Sequence, residues 1–257
     1  MTTLIYDKTF DGLFTAIFEV YEYKFQQPKI IKENTGNDVL FGYMHVVYTN
    51  NDKAERVLCK IKNILSYKAL LELYAAFLSE IDDIENNILH YIQHLISSQK
   101  NIETDWINND VRIIKQTSRK VLHEAHQMKG FVRFHLTGNQ LYYSIINPVY
   151  NILPLITHHF KHRFSDQHWL VYDEKRRYGI YYDLNNVTEV NILPDQPKRT
   201  ADVAFALHED EILYQRLWQK YFKSTFIESR KNTKLHVQHL PRKYWKNLVE
   251  KMLVNII

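Results

Sequence analysis

The stretch EAHQMKGFVRFHLTGNQLYYSIIN, residues 124–147, decides the fold class. Up to Met128 its apolar residues recur every three or four positions, the spacing of one helical face. After Gly130 the spacing drops to two in FVRFHL and again in QLYYSIIN, the mark of strands with one buried face. Thr-Gly-Asn between the two runs suits a hairpin turn. One segment therefore holds a helix end and a strand pair, which defines an α+β protein.

Upstream of the switch the sequence is helical. Over 108–128, Val111, Ile114, Ser118, Val121, Leu122, Ala125 and Met128 share a face. Arg112, Lys115, Arg119, His123, His126 and Lys129 form a basic stripe beside it. Such a stripe suits a helix lying along a phosphate backbone, and equally suits a solvated face. Over 66–97 a second apolar stripe runs from Leu70 through Tyr74, Phe77, Ile81, Ile84, Ile88 and Ile92 to Leu95. Ser79, Asp82 and Asp83 offer a fresh N-cap inside it, so two helices are expected. Further back, Asn50 or Asn51 starts a helix through Ile64, with Cys59 as a buried thiol. Residues 3–6 and 39–48 read as a short strand pair, and 25–38 as a loop. Asp7 or Thr9 caps the helix between 3–6 and that loop.

Downstream, NILPLITHHFKHRF (151–164) reads as a helix. HWLVYD and YGIYYD form a second hairpin across EKRR, and TEVNIL adds a strand. Pro194 and Pro197 mark a polar loop to about residue 207, and 208–226 is helical. Pro241 stands where a helix through RKYWKNLVEKML would begin. The expected architecture is a helical N-terminal half with a short strand pair, then an antiparallel sheet interleaved with helices. The chain 1–257 is read as a single domain, with a possible subdivision at 105/106. Irregular strand–helix alternation and the lack of GxGxxG disfavour a dinucleotide-binding fold.

Composition limits the chemistry. A single cysteine excludes an internal disulfide, a cysteine-ligated iron–sulfur cluster and a Cys-rich zinc site. No stretch of about 18 apolar residues spans a membrane, and the N-terminus lacks a signal-peptide pattern, so the cytoplasm is the expected compartment. The net charge is +4, but residues 223–251 carry eight Lys/Arg against two Glu. The rest of the chain is thus slightly acidic. A basic segment interleaved with aromatics suits nucleic acid.

Chemistry-bearing residues concentrate on 151–164. His159 and Arg163, four apart, fall on the apolar face with Ile152, Leu155, Ile156 and Phe160. A buried imidazole and guanidinium need partners, and Asp173 is the expected partner of Arg163. They form either a structural network or a site in which Arg163 holds an anion and His159 moves a proton. Glu124 and His126 are further acid–base candidates. His158 and His162 have chelating spacing but no acidic third ligand, and His123–His126 is one residue short of HExxH. No metal and no cofactor are expected.

Several segments together resemble a known family. They are YDKTFDGLFTAIFEVY (6–21), FLSE (77–80), EAHQMKGFVRF (124–134), NPVYNILPLITHHFKHRF (147–164), WLVYDEKRRYGIYYD (169–183), LYQRLWQKYFKSTFIESRKN (213–232) and LPRKYWKNLVE (240–250). The set is similar to the bacterial "probable DNA metabolism protein" family, a domain of unknown function. The resemblance runs nearly end to end. It implies a companion radical-SAM protein linked to DNA repair, and a relation to a shorter domain fused to uracil-DNA-glycosylase-like proteins. Any iron–sulfur cluster would then belong to the companion.

Three functions follow as expectations. The first is an accessory protein of DNA repair or modification that binds DNA and a radical-SAM partner. Its contacts would be Lys115, Arg119, Lys129, Arg133, Arg163, Arg242 and Lys243, with Tyr244 and Trp245 for stacking. The second is a nucleotide- or base-processing enzyme using His159, Glu124 and His126. The third is a structural partner subunit without DNA affinity.

Overall fold

The first strand, β1 (Thr2–Tyr6), buries Leu4 and Tyr6 completely or nearly so, and it lies in the middle of its sheet. The structure is a computed structural model, and it describes residues 2–33, 43–191 and 207–252. The chain divides into two compact units, Met1–Leu122 and His123–Ile257.

In the first unit, β1 is flanked by β2 (Pro28–Lys32) and β3 (Tyr43–Val46), both parallel to it. Parallel neighbours need a long crossover, and α1 (Phe10–Glu22) supplies the one between β1 and β2. Thr9 caps α1 by accepting from Gly12 N at 2.9 Å. Glycine at position 12 leaves room for the Asp7 carboxylate, which a Cβ there would meet at 2.1 Å and displace. The strand over 28–32 replaces part of the expected loop. Its sequence PKIIK hides the strand, and its pairing is supplied from elsewhere in the chain. Positions 39–42 of the expected second strand lie outside the described residues.

Helices α2 (Asn51–Lys62), α3 (Tyr67–Phe77) and α4 (Ile84–Ser98) start where the sequence placed their caps. Asn50 and Ser66 each accept a backbone N–H from the first turn. The α3–α4 break falls at the Ser79–Asp83 segment, and the apolar stripes of both helices enter one core with Leu4, Phe14, Ile17 and Ile30. Cys59 is exposed, contrary to expectation, because α2 buries the Ala54, Val57 and Ile61 face.

Helix α5 (Asn109–Phe131) begins in the first unit and ends in the second. The second unit carries a five-stranded sheet in the order β4-β5-β6-β7-β8. Its strands are β4 (His135–Leu136), β5 (Tyr142–Ile146), β6 (Trp169–Asp173), β7 (Tyr178–Tyr182) and β8 (Val187–Asn191). The β6–β7 hairpin forms as expected, whereas the first is cut to its tip: Phe131 ends α5, and only His135–Leu136 of FVRFHL pairs with β5. The sheet is nevertheless mixed rather than antiparallel, because β5 and β6 run parallel. They are joined by α6 (Leu153–Arg163), so β5–α6–β6 is a crossover unit. Ser144, Ile146, Trp169, Val171, Ile180 and Tyr182 point to the buried side, where Phe160 of α6 meets Trp169 edge-on at 6.1 Å.

The C-terminal part is helical: α7 (Glu211–Ser224), α8 (Thr233–His239), a 3-10 turn at Arg242–Asn247 and α9 (Val249–Met252). The proline-marked loop at 192–206 lies outside the described residues. No helix among the described residues is long and apolar enough to cross a membrane.

Candidate functional site

Glu124 sits on the inner face of α5 and is buried. Its carboxylate accepts from Val149 N at 3.0 Å, Tyr150 N at 2.8 Å, Lys243 Nζ at 3.3 Å and the Tyr244 hydroxyl. Burial, then the bond to Glu124, pushes the Tyr244 hydroxyl well above its ordinary range, so it remains a donor. The cluster ties α5 to the loop before α6 and to the 3-10 turn. With four donors aimed at it, Glu124 is a clasp rather than a general base. Tyr244 is correspondingly buried and offers no stacking face. His126 is on the exposed side of α5.

The His159–Arg163 expectation changes. Arg163 is exposed, with its guanidinium 5.8 Å from the Phe164 ring. Asp173 is fully buried, and its partner is Arg176 at 2.8 Å, together with the backbone N–H groups of Lys175 and Arg176. The β6–β7 turn brings Arg176 back over the end of its own hairpin, so a local cation takes the place of the distant one. His159 is half-buried beside Phe160. Burial, then the charges of Lys129 and Arg163, pulls its imidazole below the ordinary value. His158 and His162 face each other at 3.0 Å on the exposed side. No group of three or more His, Cys, Asp or Glu suited to a metal ion occurs among the described residues.

The basic candidates separate into engaged and exposed groups. Lys115 pairs with Glu72 at 2.9 Å and lies 5.9 Å from the Trp106 ring, so its charge is already neutralised within the first unit. Arg119 is exposed, and Lys129 is half-buried. Arg133 grips Glu250 with two bonds of 2.7 and 3.3 Å and donates to the Gly130 and Val132 carbonyls. Arg242 is exposed, and Lys243, though exposed, is engaged by Glu124 at 3.3 Å. Trp245 is half-buried and fixed by its Nε1 donating to Leu240 O at 2.9 Å.

Trp245 forms part of a cavity of about 590 Å³ in the second unit. Phe222, Phe226 and Leu235 line it with Trp245, and Arg230, Lys231, His236, His239 and Lys251 bring positive or ionisable groups. Lys251 Nζ is 4.9 Å from the Trp245 ring and 5.0 Å from Phe222, while Arg242 is 5.7 Å from Trp245. Burial pulls the Lys251 ammonium below its ordinary value, against the pull of Glu250. His236 Nε2 is buried without a hydrogen-bond partner among the described residues. Burial, then Lys251, pulls the His236 imidazole down. This cavity gathers aromatic faces and cations from the basic segment that the sequence singled out. Phe222 of α7, Arg230 of the 3-10 turn Glu228–Arg230 and His236 of α8 were not site candidates from sequence, although Phe222 and Arg230 lie in the 213–232 segment that carries the resemblance.

A second cleft, of about 470 Å³, lies between the β4–β5 hairpin and α7. Glu211 and Gln215 line it together with Arg133, Phe134, Tyr142 and Trp218. Glu211, Gln215 and Trp218 were not candidates from sequence. The available signal was the 213–232 segment that carries the resemblance, which contains Gln215 and Trp218.

Fold and clefts thus define an α+β protein with a basic, aromatic-lined C-terminal half. The model of the domain of unknown function DUF4130 matches residues 82–250, more than half of the chain, and the chain belongs to that family. No curated protein matches, and no solved structure matches.

Proposed function

We propose that the chain is a nucleic-acid-binding accessory protein of DNA repair or modification, which holds a single strand in the cavity around Trp245. The observation that carries this reading is the placing of cations beside aromatic rings in one cavity of the second unit. Single-stranded nucleic acid presents both matching chemistries, an anionic backbone and flat base faces. Arg230, Lys231 and Lys251 meet the phosphates, and Trp245 or Phe226 meets a base. Arg242 extends the positive surface along the 3-10 turn. The family resemblance supplies the DNA-metabolism setting and a radical-SAM partner. The rival reading, a base-processing enzyme using His159, Glu124 and His126, draws less support, because Glu124 is occupied by its four donors.

Anisotropy of a labelled single-stranded oligonucleotide, titrated at two salt concentrations, tests the proposal. With about three or four phosphates neutralised, log K falls against log salt with a slope of roughly −2 to −3. Arg230→Gln with Lys251→Gln weakens binding and flattens that slope by about 1.4. Absence of binding at low salt, or affinity indifferent to salt, overturns it.

A further inference from the structure

The cleft between the β4–β5 hairpin and α7 differs chemically from the basic cavity. Its cation is spent: Arg133 is bonded to Glu250 and to two backbone carbonyls. Nothing in that arrangement draws a phosphate. Its walls are apolar or aromatic, from Phe134, Leu136, Trp218 and Val249. Trp218 is held in place by its Nε1 donating to Glu250 at 3.0 Å and by the Arg133 guanidinium 5.5 Å from its ring. It is still 40% exposed.

The polar floor is set by Glu211. This buried carboxylate accepts from Leu136 N at 2.9 Å, and His135 Nδ1 and Gln215 Nε2 approach it at 3.1 and 3.0 Å. Gln215 Nε2 and His135 Nδ1 are also 3.1 Å apart. These three contacts cannot all be hydrogen bonds. An imidazole nitrogen beside a carboxylate carries the proton, so Nδ1–H donates to Glu211 and cannot accept from Gln215. The Gln215 amide likewise turns its NH₂ to the carboxylate. Its carbonyl oxygen therefore faces away from Glu211, with no donor among the described residues. The Tyr142 hydroxyl also has no hydrogen-bond partner among them.

We infer that this cleft binds a neutral, flat heterocycle bearing an exocyclic amino group: an unstacked adenine, cytosine or guanine, in a strand or as the free nucleoside. The amino group donates to the Gln215 carbonyl, the ring lies on Trp218, and Tyr142 meets a ring nitrogen. Amide and carboxylate side chains are the usual readers of these amino groups. A cleft of about 470 Å³ accommodates a nucleoside. Recognition of the base stands independently of the strand-binding reading; only delivery of the base within a strand rests on it.

The test has two arms. In the first, free adenosine, cytidine and uridine are titrated by calorimetry at high salt, which suppresses binding through phosphates. Adenosine or cytidine binds about two- to tenfold tighter than uridine, one hydrogen bond being worth about 0.5–1.5 kcal/mol. Gln215→Met abolishes the preference, and Trp218→Phe, which keeps a flat face, retains it. Thermal unfolding of each variant separates lost recognition from lost fold. In the second arm, oligo-dA, oligo-dC and oligo-dT are compared at low salt. A Gln215-dependent preference seen only there identifies a base within a strand. A preference seen only with nucleosides, without strand binding, keeps this inference and removes the proposed function. No preference in either arm, or a preference that survives Gln215→Met, overturns the inference.

Discussion

Glu124 shows how a residue's role follows from its donors rather than its type. A carboxylate on an apolar helix face reads as an acid–base candidate, yet four donors from two other segments converge on it. Glu124→Ala leaves the Val149 and Tyr150 amides and the buried Tyr244 hydroxyl without acceptors. Urea unfolding should show a loss of roughly 3 kcal/mol or more. Glu124→Gln keeps an oxygen for one of the two amides, at the cost of an NH₂ turned toward the other, and loses less. If Glu124→Ala instead unfolds like the parent but loses a chemical activity, the clasp assignment is wrong. Arg163 and Asp173 make the same point. Each has suitable chemistry, but Arg176 lies three residues from Asp173 across a tight turn and reaches it first.

Among the elements, β2 is the one whose existence depends most on another part of the chain. PKIIK is short and starts with proline, and two of its five residues are lysine. Its edge is completed by one side chain: Asn86 on α4 accepts from Ile30 N at 2.8 Å and donates to Ile30 O at 3.1 Å. A side-chain amide therefore does the work of a further strand. Ile30 is 1% exposed, so neither backbone group has water as an alternative. Asn86→Ala should cost about 2–3 kcal/mol. It should also speed hydrogen exchange at the Ile30 amide far more than at Val47, which bonds Ile5 O on the other side of β1. Equal acceleration at both amides would contradict this role. The helices contrast with β2. Thr9, Asn50 and Ser66 cap their own first turns with bonds three residues long, so their starts were legible in sequence.

At the scale of the whole molecule, carboxylates in both units are held below their ordinary values. Burial works against Asp7, but the Thr9 and Thr49 hydroxyls outweigh it. Burial also works against Glu103 and Glu250; the Ser66 bonds outweigh it for Glu103, and Arg133 with Trp218 for Glu250. A carboxylate whose pKa is depressed by folding stabilises fully above its unfolded value. It loses that contribution as pH falls through the folded value. Denaturant midpoints should therefore hold steady near neutrality and drop below about pH 4.5, with a smaller drop in Arg133→Met, where Glu250 has lost its partner. A midpoint that rises on acidification would refute this. By itself the sequence determined the α+β class, the capped starts of α1, α2 and α3, the β6–β7 hairpin and the basic C-terminal segment. All of these are written in local spacing, capping or charge. Only the tertiary structure decided that β1 has parallel neighbours and that β5–α6–β6 makes the second sheet mixed. It also decided that Glu124 is a clasp, and that Glu211, Gln215 and Trp218 meet Arg133 in one cleft. Those features join residues tens of positions apart, and their partners are chosen by burial and by which donor arrives first, which no local pattern records.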